Sequence, residues 1–229
     1  MLEILGRVSG ESSREYINRV LRTNIVNLCL EPGQIITENE IAEKLSVSRT
    51  PVREAIIKLV QVQLIEVFPQ KGTCVSLVDL ELVEEARFLR NTLEKAVVRL
   101  ACQGINEEYI SELEANLNMH QFYADKKNYF KFMEMDNEFH HIIFKACKKN
   151  RIYSLLETMN SHLDRIRMLR LAANIDVEEI ILQHRKIISV LKEGNAEKAE
   201  EIMAEHLSSP RIEQEILRQQ YPKYFKGES

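Results

Sequence analysis

The sequence is poor in residues that punctuate helices and in residues that cross-link chains. Only 7 glycines and 5 prolines occur among 229 residues, and most fall early, so the later part should run as long helices. The four cysteines, Cys29, Cys74, Cys102 and Cys147, are widely scattered. That spacing excludes a dense disulfide framework and paired metal-ligand motifs, leaving reduced and mostly buried thiols as the expectation. No run of about 18 apolar residues exists, which excludes a membrane-spanning helix. Residues 1–16 lack a basic start, a long apolar core and a cleavage site, so no signal peptide is read and a cytoplasmic location is expected. Positive charge is also short: the net charge is −4. A chain of that charge does not coat nucleic acid in bulk, so any DNA contact must come from charge concentrated at one element.

What is present divides the chain in two. Pro32-Gly33 reads as a turn, and Lys71-Gly72-Thr73 lies between two β-type runs, 64–68 and 73–77, which read as a small hairpin. From about Asp79 apolar residues recur at three- and four-residue spacing, giving roughly six helices. The expected fold is mainly α, with residues 1–76 as a winged helix-turn-helix and 77–229 as an all-α helical bundle. The polar tail from Gln219, with Pro222, should fray.

Within 37–60 the pattern is specific. Thr37 caps a short helix with Ile36, Ile41, Ala42 and Leu45 on one apolar face, Val47 points inward from a tight turn, and Ser48 caps a second helix whose apolar face is Val52, Ala55, Ile56, Leu59 and Val60. Ser48, Arg49, Thr50 and Arg53 cluster at the start of that helix, on the opposite side. Free N–H groups there favour phosphate, hydroxyls hold phosphate, and arginine reaches guanine O6/N7. A Lys71-Gly72 hairpin tip would add charge and let backbone approach a sugar-phosphate wall. Composition alone also allows a plain solvated helix face.

Pro32-Gly33, Glu40-Ile41-Ala42 and the run Val47-Ser48-Arg49-Thr50-Pro51-Val52-Arg53-Glu54-Ala55 resemble the signature of the GntR family of bacterial regulators, over roughly residues 14–76. The resemblance implies a winged helix-turn-helix that binds palindromic operator DNA as a homodimer. It implies base or phosphate contacts from Arg49, Thr50 and Arg53, a minor-groove contact from Gly72, and further contacts at Asn39 and Lys71. Gln63 departs from the glycine usual before Leu64, which bears on the turn into the wing.

The helical part carries polar residues on faces that should point inward. Asp136 and His140, at i and i+4, border or enter the stripe Phe132, Met135, Phe139 and Ile143. His184 sits amid Ile180, Ile181, Ile187, Ile188 and Leu191; His206 sits amid Ala199, Ile202, Met203 and Leu207. Unpaired burial would be costly, so either the four bind a divalent metal in the bundle interior or each is satisfied separately. Imidazole suits zinc, nickel, copper or iron, with zinc or nickel foremost, and the carboxylate admits manganese. His120, His141 and His162 lack such settings and are expected at the surface or its boundary.

Asp136-x-x-x-His140, His184 and His206 before Leu207 resemble the metal-binding pattern of the FadR-type C-terminal domain, FCD, as do Arg90-x-x-Leu93-Glu94 and Gly194-Asn195-x-x-x-Ala199. The likeness implies a bundle that binds a small carboxylate effector beside the metal. Gln183 replaces a common glutamate and should support the third ligand less well. Arg90 is the candidate contact for the effector carboxylate; a surface pair with Glu94 is the alternative. The function expected is a ligand-responsive transcriptional regulator, by preference a repressor, with effector response transmitted through the helix starting near Asp79. A metal-dependent enzyme acting on a small organic acid is the alternative, although no base motif, nucleophile elbow or phosphate loop accompanies the cluster. A helical interaction protein would leave the Asp and three histidines unexplained.

Overall fold

Two reciprocal caps fix the first helices. Ser12 and Glu15 cap α1 (Ser13–Val26), and Thr37 and Glu40 cap α2 (Glu38–Leu45) in the same manner. The fold is taken from a computed structural model, which describes residues 2–68, 72–173, 177–208 and 211–227. A left-handed Ser46 ends α2, and α3 (Arg49–Gln61) follows. Ser48 stands at its N-cap, but its side chain makes no cap hydrogen bond, in contrast to the sequence expectation. Val52, Ala55, Ile56 and Leu59 of α3 pack on Ile17, Val20, Leu21 and Ile25 of α1 in one apolar core.

The hairpin forms as β2 (Ile65–Phe68) and β3 (Gly72–Val75), antiparallel, with Phe68 opposite Gly72. Gly72 has φ +100, where a side chain would be strained. A short strand not foreseen in the sequence, β1 (Ile35–Ile36), pairs with Cys74 and Thr73 and puts β3 in the middle of a three-stranded sheet. Lys71 lies outside the described residues.

Beyond the sheet come α4 (Leu80–Ala101), α5 (Glu107–Asp125), α6 (Tyr129–Ala146), α7 (Asn150–Met159), α8 (Ser161–Ala172), α9 (Val177–Glu193), α10 (Ala196–Leu207) and α11 (Arg211–Gln220). Eight helices among the described residues replace the six expected. One reason is that α7 and α8 part at Asn160 without glycine or proline to mark the break. In the bundle α5 packs on α6 and α9, and α10 on α4 and α9. Gly194, with φ +70, turns the chain from α9 into α10; a Cβ there would lie 3.3 Å from the Cys102 carbonyl. The four cysteines are free and half-buried rather than fully buried.

A third apolar cluster lies within the helical half: Val78, Val83 and Ala86 meet Leu163, Ile166 and Leu169 of α8, with Leu217 and Phe225, and Leu28 of the N-terminal half packs against it. The tail is therefore docked, not frayed. The Val78 N–H donates to the Tyr224 carbonyl at 2.7 Å and the Lys226 N–H to the Val78 carbonyl at 2.9 Å.

Candidate functional site

Asn39, Ser48, Arg49, Thr50, Arg53 and Gly72 are all exposed on the α2–α3–wing surface. Arg53 donates to both oxygens of Glu38, each at 2.9 Å, and Arg49 approaches the same carboxylate at 3.5 Å. Those bonds hold the Glu38 carboxyl below its ordinary pKa, the Arg53 hydrogen bond contributing most. Glu38, unnoticed in the sequence, thus aims two arginines from the start of the second helix.

The four polar residues from the bundle stripes converge. One ligand atom from each of Asp136, His140, His184 and His206 lies within 4.8 Å of the others. His140 Nε2 and His206 Nε2 are 3.1 Å apart, and His184 Nε2 stands 3.3 Å from His206 Nε2 and 3.5 Å from Asp136 Oδ1. Asp136 and His140 do enter the buried face of α6, and His184 has no exposed surface.

Outer partners aim these rings. His140 Nδ1 contacts Glu94 Oε2, and His206 Nδ1 donates to Gln183 Oε1 at 2.9 Å. Gln183 therefore supports His206 and not the neighbouring His184, whose Nδ1 has no hydrogen-bond partner among the described residues. Burial would raise the Glu94 carboxyl, but Arg90 and His140 outweigh it and hold the group down to about 2. An ionised Glu94 places the His140 proton on Nδ1, so the Nε2 lone pairs of His140 and His206 face each other. Two acceptors that close repel unless a cation lies between them. Nitrogens bound to one zinc-sized ion at about 2.1 Å would stand roughly 3 Å apart, so the observed spacing fits a metal.

The Asp136 carboxyl is raised by burial, yet Arg167, His140, His184 and Arg90 together hold it well below the ordinary range. Burial, then the neighbouring imidazoles, lowers His184, and the same causes bring His206 down to about 3. A cavity of 310 Å³ opens against the cluster, lined by Arg87, Arg90, Asp136, Arg167, Arg170 and His206 among others.

Known proteins match along most of the chain. The family described as "Bacterial regulatory proteins, gntR family" matches residues 14–75, and the FCD domain matches 85–209. The chain belongs to the GntR family and carries an FCD domain. The HTH-type transcriptional repressor RspR of Escherichia coli is 30% identical over 214 residues, covering 93% of this chain and 94% of that protein. An HTH-type regulator in an unstable DNA locus of Streptomyces ambofaciens is 32% identical, covering 96% and 93%. The E. coli McbR/YncC structure has a TM-score of 0.78 at 23% identity, covering 92% of this chain and 99% of that one. This GntR protein is thus a DNA-binding transcription regulator and not an enzyme. Regulators of the family bind operator DNA and usually act as dimers. No helix among the described residues is long and apolar enough to cross a membrane.

Arg90 combines both sequence readings in part. It pairs with Glu94 at 2.5 Å, as an i,i+4 partner should, but it is buried, lies 3.9 Å from Asp136 and lines the cavity. His120 and His162, expected near the surface, are buried. His120 stacks obliquely on Phe132 behind His184, and none of its ring nitrogens, nor His184 Nδ1, has a hydrogen-bond partner among the described residues. His162 and the fully buried Arg165 lie at the joint between the halves. His162 Nε2 donates to the Gln63 carbonyl at 3.0 Å, its Nδ1 accepts from the Asp79 N–H at 3.0 Å, and Arg165 donates to the Ser76 carbonyl at 2.6 Å. No stripe betrays these residues, because α8 is buried nearly all round and interleaves charged with apolar side chains.

Proposed function

We propose that this regulator is a metal-loaded repressor that binds a palindromic operator as a homodimer and responds to a small carboxylate. Residues 1–76 would read DNA through Asn39, Ser48, Arg49, Thr50, Arg53 and Gly72, with Lys71 at the wing; residues 77–229 would sense and dimerise. The observation that carries the sensor is the set of acceptors facing one another at Asp136, His140, His184 and His206, beside a cavity walled by arginines. FCD domains often bind a metal. A divalent ion, zinc or nickel first and manganese or iron next, would neutralise those lone pairs and offer open positions to an oxygen ligand. Arg90, buried at the cavity wall, would hold the acid's carboxylate. Repression is supported by RspR, whose name records that activity.

The route from pocket to reading head runs through α8 as well as α4. One side of α8 gives Arg167 to the cavity, and its first turns give His162 and Arg165 to the base of the wing. A shift of α8 when the acid binds would reorient the two reading helices of a dimer. The test is elemental analysis of protein purified without chelator or a metal column, beside His184→Ala. About one metal per chain, lost in the variant, is expected. A metal-free wild type that takes up none of zinc, nickel or manganese would end the metal-centred reading while leaving the regulator intact.

A further inference from the structure

The Asp136 carboxylate already has a cation on it. Arg167 Nη2 donates to Asp136 Oδ2, while its Nη1 is held by Asp164 Oδ1 at 2.7 Å and Asn137 Oδ1 at 2.9 Å. The guanidinium is thus anchored on one side by α6 and its own helix, and its other edge covers an oxygen of the proposed ligand set. Only 12% of the Arg167 side chain is exposed, so water does little to screen it. Arg90 stands behind at 3.9 Å from the same oxygen. A divalent ion among the three Nε2 atoms would bring a second cation to a carboxylate already paired with the first. Two cations crowded on one buried carboxylate repel by several times the exposed value.

We infer that Arg167 is a resident competitor for the metal at Asp136 and sets the metal concentration at which the site fills. This rests on the metal reading above and adds a residue outside the ligand set. The arginine keeps Asp136 paired in metal-free protein, where an uncompensated carboxylate beside three imidazoles would be costly. Asp164 and Asn137 keep the guanidinium nearby once Asp136 is given up, so the exchange needs no large motion. The sign of the effect is unusual. A residue that merely supports a metal site weakens binding when removed, whereas a competitor strengthens it.

The test is a zinc titration of metal-free wild type, Arg167→Gln, Arg167→Lys and His184→Ala, read by competition with a chromophoric chelator and by thermal melts. Arg167→Gln is expected to bind zinc about tenfold more tightly or better. Its metal-free form should melt lower than wild type, with a larger upward shift on adding zinc. Arg167→Lys, which keeps the charge, should stay within about threefold of wild type and serves if the Gln variant does not fold. Equal or weaker zinc binding by Arg167→Gln, with wild-type binding intact and lost in His184→Ala, overturns the competitor alone. Absence of zinc binding in both wild type and Arg167→Gln overturns the metal reading with it.

Discussion

The two halves use the same chemical pair in opposite settings. On the reading surface, Arg53 and Glu38 are 61% and 23% exposed; in the bundle, Arg90 and Glu94 are 9% and 2% exposed. Arg53 grips both oxygens of Glu38, whereas Arg90 bonds one oxygen of Glu94 and leaves the other to His140. The exposed pair is screened by water and opens at little expense, so it can orient an arginine and then release it to a base or phosphate. The buried pair cannot be opened without leaving a charge in a poor solvent. The first arrangement suits a partner that comes and goes, whereas the second demands a replacement charge. Burial, not residue type, decides which arginine is adaptable.

The comparison is broken most directly at the buried pair. Arg90→Ala should destabilise the metal-free protein by about 3–5 kcal/mol in urea denaturation, because the buried Glu94 loses its cation and keeps only the His140 ring as a partner. A loss no larger than that of an exposed pair would show that the bundle interior is wetter than its packing implies. At the exposed pair the same truncation should leave the melting temperature nearly unchanged. Arg53→Ala should instead weaken operator binding roughly tenfold or more in a fluorescence anisotropy titration; undiminished affinity would remove Arg53 from the reading set.

The joint between the halves sharpens the comparison through pH. Burial first, then Arg165, lowers His162 to about 4 from its ordinary 6.5. Its Nδ1 accepts from Asp79 and faces Arg165, so a proton there would meet two donors, with Asp79 and Lys226 the other charges nearby. The unfolded chain takes up the proton first as pH falls. The contribution of neutral His162 is therefore complete above about 6.5 and declines toward 4. Wild type should lose stability relative to His162→Gln by at most about 1.4 kcal/mol per pH unit across that window. Parallel thermal-stability profiles would rule the effect out.

The smallest effect is expected at Gln63, whose φ of +57 is left-handed. Gln63→Gly relieves that strain while adding freedom to the unfolded chain, for a net gain of no more than about 1 kcal/mol. A clear loss in chemical denaturation would mean that the Gln63 side chain itself supports the wing.

Periodicity made the reading helix and the Asp/His cluster legible: the helix carries its polar residues opposite a regular apolar face, and those of the cluster interrupt such faces. Asp136, His140, His184 and His206 each stood out in that way, and the convergence of three helices, α6, α9 and α10, supplied the rest. Arg167, Arg165 and His162 did not stand out. A helix buried on every side has no polar face to contrast with, so its charged residues look like ordinary solvated ones. The strand β1 was hidden for another reason: two residues are too few to show alternation. Tail docking depended on Phe225 finding Val78, a long-range contact that a polar, proline-containing segment does not advertise. The left-handed Gln63, by contrast, could be anticipated from the glycine that the family places there.

The joint also has its own clock. Arg165 is fully buried, and desolvation lowers it to about 10, so opening the joint returns a strained charge to water. Leu28 of the reading half, packed on the apolar cluster around Val78 and Phe225, resists that opening. The N–H groups of Val78 and Asp79 bond to Tyr224 and His162, all within the helical half, and that of Val75 bonds to Gln34 within the reading half; His162 in turn reaches across to the Gln63 carbonyl. Amide hydrogen exchange at Asp79 therefore measures how often His162, which also holds the Gln63 carbonyl, lets go, and exchange at Val75 measures how often the reading half itself unfolds.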